Sequence, residues 1–225
     1  MNVIELIGVS KYYAIAGGTL VKAVEDIDLS ISVGDFAMIF GRSGSGKTTL
    51  LSIMAGLISP TKGEVRVNGM NLNRMGEGQR SRLRNETIGF IFQQPTLIPY
   101  LTVVDNVRLP RFFSKESGER DLEEALSLLN SVGLSDKARV FPSQLSAGQM
   151  RRVQVARALM NKPKVLLADE PTGELDEATE IEIMELLRSV HDSGVTIVMV
   201  SHSNELARYA NRLFKMEVGR LREVS

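Results

Sequence analysis

The sequence contains no cysteine among its 225 residues, which excludes a disulfide scaffold, a thiolate metal site, an iron–sulfur centre and a cysteine nucleophile. It also lacks an excess of charge, because 27 basic and 27 acidic residues cancel. A chain without net positive charge has no overall field that attracts polyanions, so broad nucleic-acid binding is disfavoured. We therefore expect no nucleic acid among its partners.

Long hydrophobic runs are missing too. The longest, residues 36–40 and 195–200, fall far short of the ~20 residues that a helix needs to cross a bilayer. The first residues lack the basic-then-apolar layout of a secretion signal. We expect a cytoplasmic protein that meets a membrane only through a partner.

Two segments near the start have the pattern of antiparallel strands. Residues 3–9 and 26–33 are rich in β-forming residues, and the pair Gly17-Gly18 between them could turn a hairpin. A second hairpin is predicted around Asn68-Gly69, which suits a turn with positive φ. In the segment 26–33, apolar residues alternate with polar ones and predict a half-buried strand; they are Ile27, Leu29, Ile31 and Val33.

Three further runs are continuously apolar, as strands covered on both faces are: residues 36–40, 165–168 and 195–200. Helical patterns separate them, which predicts an α/β fold with a mostly parallel central sheet. The stretch between residues 92 and 165 is mainly helical and is predicted to form an inserted subdomain. One of its helices ends at Gly133 and carries apolar residues at helical spacing: Leu122, Ala125, Leu126, Leu129 and Val132.

Residues 41–48 match an eight-position phosphate-loop pattern and follow a buried strand. The glycines allow bare N–H groups to approach phosphate oxygens, and the apolar helix predicted over residues 50–57 adds its positive end. Lys47 supplies a charge for the β- and γ-phosphates, and the Thr48 hydroxyl can ligate Mg²⁺. The pattern predicts nucleotide binding by Gly41, Arg42, Ser43, Gly44, Ser45, Gly46, Lys47, Thr48 and Thr49.

Two carboxylates, Asp169 and Glu170, directly follow the buried strand 165–168. The carboxyl ends of parallel strands meet at the crevice where such sheets bind ligands. Asp169 would hold Mg²⁺ through its water shell, and Glu170 would polarise the attacking water. The alternative is a pair of loop carboxylates that cap the next helix.

Two polar residues follow other predicted strands. His202 comes after the run 195–200 and could contact the γ-phosphate, although a histidine in such a place is more often a structural residue. Gln93 follows residues 88–92 and could bridge Mg²⁺ and water. Spacing alone does not separate Gln93 from its neighbour Gln94.

A second glycine-containing motif, residues 142–149, precedes an apolar helix. Ser146 can cap that helix, and Gly148 leaves its N-terminus open to an anion. As a capped helix, this segment is explained by structure alone. As an anion site, it would be the second in a chain that already has a phosphate loop, and that requires an explanation.

Taken together and in this order, the motifs resemble those of the ABC-transporter ATPases over nearly the whole chain. The resemblance rests on residues 41–48, Gln93, residues 145–149 and 166–170, Asp176 and His202. It implies a P-loop NTPase core (residues 1–93 and 161–225) with an N-terminal antiparallel β subdomain and an inserted helical subdomain (residues 94–160), forming a single domain. It also implies two cassettes that pair head to tail around ATP, so that each signature segment closes over the other's nucleotide.

Site roles follow from the resemblance by position. Its catalytic residues would be Glu170, His202, Gln93 and Lys47. Its segment acting on the other cassette's nucleotide would be Ser146, Ala147, Gly148 and Gln149. Its Mg²⁺ ligands would be Thr48, Gln93 and Asp169. Asp176 would cross the dimer interface, or only cap the helix 177–190; Tyr13 would stack on adenine, or only pack as a surface tyrosine.

A finer resemblance is to the branch that serves lipoprotein release, macrolide export and division-site complexes. It implies an ATPase on the cytoplasmic face of the membrane, bound to a separate permease. Three residues depart from the usual pattern: Ala147 in place of glycine, Glu174 in place of asparagine and Ser203 in place of aspartate. The alternatives are a membrane-bound regulatory ATPase without transport, a solute importer, and a soluble ABC ATPase that the neutral charge disfavours.

Overall fold

The structure is a computed structural model that describes residues 1–14, 19–114, 118 and 120–224. The chain divides into two compact units, one formed by residues 1–80 with the residues from 196 onward and the other by residues 81–195. The strands are β1 (Asn2–Ala14), β2 (Leu20–Ser32), β3 (Phe36–Phe40), β4 (Lys62–Val67), β5 (Met70–Asn71), β6 (Ile88–Ile91), β7 (Val165–Asp169), β8 (Thr196–Ser201), β9 (Arg212–Glu217) and β10 (Arg220–Val224). The α-helices are α1 (Lys47–Met54), α2 (Glu77–Thr87), α3 (Val103–Arg108), α4 (Asp121–Ser131), α5 (Ala147–Leu159) and α6 (Glu177–Asp192).

The first unit contains the predicted antiparallel sheet, with strand order β2-β1-β4-β5. Both N-terminal strands are longer than predicted, and the turn predicted at Gly17-Gly18 lies outside the described residues. The hairpin at Asn68-Gly69 is confirmed, since both residues have positive φ and Val67 pairs with Met70. The burial predicted for Val33 is wrong: β2 ends at Ser32 and the chain turns at Gly34 (φ 87°), which leaves Val33 58% exposed.

The same unit contains the predicted parallel strands. β3 pairs in parallel with β8 on one side and with β9 on the other. Both β3 and β8 are almost completely buried, which explains their unbroken apolar sequences. β9 and β10 form an antiparallel hairpin that sequence reasoning missed; its turn, Val218-Gly219, has positive φ at both residues.

The second unit combines the parallel pair β6 and β7 with a helical core formed mainly by α3, α4 and α5. In α4 the stripe of Ala125 and Leu129 is buried as predicted, but Leu122 and Leu126 are about 40% exposed, so their predicted burial is wrong. The neighbouring stripe of this helix faces away from the helical core. Gly133 follows the end of α4 with φ 72°, as predicted. Across the described residues, no helix has both the length and the apolar content needed to cross a membrane.

Candidate functional site

The phosphate loop joins β3 to α1 in the first unit. Two of its glycines are required by close approach of other backbone atoms: a Cβ at Gly46 would lie 2.0 Å from the Ala23 carbonyl oxygen, and one at Gly41 would lie 2.2 Å from that of Met216. The helix begins at Lys47, three residues before the predicted start, and ends at Met54. The predicted extension to Leu57 is wrong, and Leu57 is exposed. The loop therefore leads directly into the positive end of the helix.

Lys47 lies buried against the loop that precedes it. Its Nζ donates to the carbonyl oxygens of Gly41 (2.8 Å) and Arg42 (3.1 Å). The Ser45 hydroxyl is buried and has no hydrogen-bond partner within the described residues. Because buried polar atoms normally find a partner, the unpaired Ser45 hydroxyl, in the same loop as the Lys47 ammonium, suits an anionic ligand.

A cavity of about 750 Å³ opens beside this loop. It brings His202 together with the loop in the same unit, as predicted from the strand ends. Sequence reasoning missed the part of the wall that comes from the β9–β10 hairpin, because that hairpin carries no motif. The lining residues are Phe40, Gly41, Arg42, Ser43, Gly44, Ser45, His202, Asn204, Lys215, Met216, Glu217 and Val218.

The second unit holds the predicted carboxylates. Asp169 is the buried last residue of β7, and Glu170 follows it with φ 44°, in the left-handed region. Gln93 Nε2 donates to Glu170 Oε2 at 3.0 Å. The structure thus places the side chain of Gln93 against Glu170. The contact described for Gln94 is made by its backbone, whose carbonyl oxygen accepts a hydrogen bond from Gln154.

The signature segment forms the start of α5. Ser146 caps the helix, as predicted: its Oγ accepts from the Gln149 N–H (3.2 Å), and Gln149 Oε1 accepts from the Ser146 N–H (3.0 Å). Ala147 is the first helical residue. Gly148 is buried against α6, and a Cβ at this position would lie 2.6 Å from Thr179 Cγ2. Glycine is therefore required here by packing within the chain.

Asp176 caps α6, which was the simpler of the two interpretations of this residue. Its Oδ1 accepts from the Thr179 N–H (3.0 Å) and its Oδ2 from Thr179 Oγ1 (2.7 Å). These hydrogen bonds lower the pKa of the Asp176 carboxyl, because they stabilise its charged form. The helix runs to Asp192, two residues beyond the predicted end.

The family model for ABC transporters matches residues 24–173, well over half of the chain. The chain belongs to the ABC transporter family. It is an ATP-binding cassette, the ATPase component of such a transporter, and it binds nucleotide.

Relatives and solved structures agree with this assignment. The chain is 44% identical to the ABC transporter ATP-binding protein MJ1508 of Methanocaldococcus jannaschii over 90% of each chain. It is 43% identical to the macrolide export ATP-binding/permease protein MacB of Chlorobium phaeobacteroides over 96% of its own length, but it spans only 33% of that protein. A dimeric structure of the cassette MJ0796 in a post-hydrolysis state, bound to ADP and Pi, matches with a TM-score of 0.89 and 38% identity over 99% of each chain.

The residues predicted to hold Mg²⁺ have suitable chemistry in this cassette. Thr48, Gln93 and Asp169 offer hydroxyl, amide and carboxylate oxygens, which are the donors that Mg²⁺ prefers. Among the described residues, no group of three or more His, Asp or Glu side chains is arranged as a metal site. Each of the three residues thus offers an oxygen donor of the kind that Mg²⁺ in nucleotide sites combines with phosphate oxygens and water.

Tyr13 and Ser203 both lie in the first unit. Tyr13 lies near the end of β1 and is 40% exposed, with Lys11 Nζ 5.3 Å from its ring centroid. Ser203, at the position where aspartate is usual, accepts a hydrogen bond from the Glu205 N–H (3.3 Å). It thus supports the turn after His202.

The packing of Gly148 gives a testable prediction. We expect Gly148→Ala to lower the free energy of unfolding by about 1–3 kcal/mol, because the added methyl overlaps Thr179 Cγ2 and rotating Thr179 would break its hydroxyl bond to Asp176. Thr179→Ser removes the γ-methyl and retains the hydroxyl. The double variant should therefore recover most of the lost stability in urea denaturation, with Thr179→Ser alone as the control. A double variant as unstable as Gly148→Ala would contradict this explanation.

Proposed function

We propose that two copies of this cassette close head to tail around Mg-ATP and that closure and reopening drive a separate membrane permease. The observation that carries the proposal is that one chain has two separate helix N-termini of the kind that suits an anion, the one that follows the phosphate loop before α1 and the one at the signature segment of α5. A head-to-tail pair gives both features the same ligand, since each α5 would face the phosphates held by the other copy. The solved structures of the cassette MJ0796 are dimeric, which supports a pair of copies.

Each site residue has a proposed role in ATP binding or hydrolysis. Lys47 and the loop amides hold the β- and γ-phosphates, and Tyr13 stacks on the base. Glu170 accepts a proton from the attacking water, Gln93 orients the Glu170 carboxylate, and His202 contacts the γ-phosphate. Mg²⁺, held by Thr48, Gln93 and Asp169, would neutralise charge that develops on the phosphate oxygens.

The signature segment and Asp176 act on the other copy in this proposal. Ser146, Ala147, Gly148 and Gln149 present the N-terminal end of α5 to the partner's γ-phosphate, where a helix end favours negative charge. Asp176 crosses the interface while it also caps α6. The helical subdomain, residues 94–160, passes the motion to the permease.

The membrane partner is proposed from the relatives. MacB is an ATP-binding/permease protein, and the cassette corresponds to about a third of it. We propose that this cassette works at the cytoplasmic face with a permease of the export or lipoprotein-release type. Substrate movement in a reconstituted complex would distinguish transport from a purely regulatory role.

The oligomeric state of a hydrolysis-deficient variant tests the dimer. With ATP and Mg²⁺, we expect Glu170→Gln to form dimers in size-exclusion chromatography with light scattering, because ATP is bound and not consumed. With ADP, the same variant should remain monomeric. Glu170→Gln combined with Lys47→Ala is the matched control, which should remain monomeric because it lacks the phosphate-binding ammonium. A Glu170→Gln protein that stays monomeric with ATP at high concentration, alone and with its permease, would contradict the proposal.

A further inference from the structure

Three side chains of α5 bind the backbone of the segment that carries Gln93. This segment, residues 92–96, follows β6 and forms no regular secondary structure. Arg151, Gln154 and Arg157 lie three residues apart, so they are neighbours on the helix surface. Along the helix they donate in turn to the carbonyl oxygens of Phe92, Gln93, Gln94 and Thr96.

Arg151 makes the contacts nearest to the proposed catalytic group. Its two terminal nitrogens donate to successive carbonyl oxygens, those of Phe92 and Gln93, each at 2.7 Å. One of these nitrogens also donates to Gln154 Oε1 at 3.0 Å. The residue is only 3% exposed, and the planar guanidinium fork fixes both carbonyls in a single geometry.

The contact continues from Gln93 to Glu170. Gln93 is an exposed residue, so its side chain is placed by its backbone and by its hydrogen bond to Glu170 rather than by packing. Glu170 is itself restrained by a left-handed backbone conformation and by the Gly173 N–H, which donates to its carbonyl oxygen at 3.0 Å. The chain of contacts therefore runs from Arg151 through the Gln93 backbone and amide to the Glu170 carboxylate.

A carboxylate favours the charged form of Arg151. Burial lowers the pKa of the Arg151 guanidinium, and the carboxylate of Glu174 opposes that shift. Glu174 stands at a position where the family resemblance led us to expect asparagine, and it has positive φ (66°) in the turn before α6. The acidic residue thus stabilises a charged group inside this unit.

We propose that Arg151 is a positioning residue for ATP hydrolysis, which fixes the backbone of Gln93 and through it the orientation of the Glu170 carboxylate. This inference rests on the proposed role of Glu170 as the proton acceptor. Loss of the guanidinium frees residues 92 and 93, so Gln93 no longer holds the carboxylate in one direction. Small errors in the placement of a catalytic group reduce turnover far more than they reduce substrate binding.

Steady-state kinetics of Arg151→Met tests the proposal. We expect kcat to fall roughly tenfold or more while KM for ATP changes by less than about twofold. Arg151→Lys, which keeps the charge but can serve only one carbonyl well, should recover part of kcat. It also provides a measurable protein if the methionine variant does not fold.

Arg157→Met is the matched control on the same helix. Arg157 donates to the carbonyl and hydroxyl oxygens of Thr96, at the far end of the segment from Gln93. This variant should lose stability in thermal unfolding yet keep kcat within about twofold of the parent. Equal losses of kcat for the Arg151 and Arg157 variants would overturn the proposal. The loss would then come from weaker attachment of the whole segment and not from the position of Gln93.

A double-mutant cycle provides a second readout. In a Gln93→Ala background, Arg151→Met should cause little further loss of kcat, because the connecting amide is already absent. Fully additive losses, or an unchanged kcat for Arg151→Met, would overturn the inference. If Glu170→Gln retains turnover, the proposed function itself fails; if Glu170→Gln is inactive and Arg151→Met is fully active, only the role of Arg151 fails.

Discussion

Glu170→Gln is expected to reduce ATP turnover by about 10²-fold or more while leaving ATP affinity nearly unchanged. A general base contributes roughly 10²–10⁴ to a rate, and an amide cannot accept the proton. The change is nearly isosteric, and the carbonyl oxygen of the new amide can still accept the hydrogen bond from Gln93 Nε2. Phosphate release under saturating ATP measures the turnover, and titration calorimetry measures the affinity.

Glu185→Gln is the matched control for this experiment. Glu185 is an exposed carboxylate on α6, in the same unit as Glu170, and it has no part in the proposed site. Its replacement should leave turnover and thermal stability at parental values. Turnover by Glu170→Gln within a few-fold of the parent would reject Glu170 as the proton acceptor.

Lys47→Ala is expected to weaken ATP binding roughly ten- to a hundredfold and to abolish turnover at moderate ATP concentration. A hydrogen bond to a charged group contributes about 1.5–3 kcal/mol, and its loss would be compounded by two exposed acceptors. The Nζ group covers the carbonyl oxygens of Gly41 and Arg42. Without it, both oxygens would face the phosphates and repel them. Titration calorimetry with ATP measures the loss directly.

Two further variants separate charge from geometry at Lys47. Lys47→Arg keeps the positive charge but places a wider group in a buried slot, so we expect it to bind ATP more weakly than the parent and more tightly than Lys47→Ala. Lys137→Ala, which removes a half-buried lysine paired with Asp136, serves as the control and should bind ATP normally. Normal affinity in Lys47→Ala would show that the loop amides alone hold the phosphates.

The sequence predicted those features that depend on a few consecutive residues: buried strands, helix caps and the phosphate loop. The unbroken apolar runs before Gly41 and Asp169 predicted strands buried on both faces, because only such strands need no polar side. Ser146 was predicted as a helix cap, and a cap was the simpler of the two interpretations of Asp176, since a short polar side chain before a helix satisfies free N–H groups. The phosphate-loop pattern predicted nucleotide binding because its glycines, its lysine and the following helix stand within a few residues of one another.

Errors arose where the burial of a side chain depends on where an element ends and on which of its faces meets the core, since an apolar pattern alone records neither. Val33 continues an alternating pattern, yet the turn at Gly34 removes it from the sheet. Leu122 and Leu126 have helical spacing, but α4 turns only one stripe toward the core. The β9–β10 hairpin was missed because short amphipathic strands resemble any polar segment, although it forms part of the wall of the cavity.

The amino-acid sequence by itself determined the family, the ATPase chemistry and the candidate groups, because phosphate loops, strand-end carboxylates and capped helices are encoded within a few consecutive residues. Tertiary structure alone decided that Gln93 rather than Gln94 lies against Glu170, that Gly148 must be small to accommodate Thr179, and that Arg151 holds the segment carrying Gln93. The physical reason is that each of these depends on a distance between atoms of different elements. Packing fixes such distances, and no repeat or spacing along the chain records them.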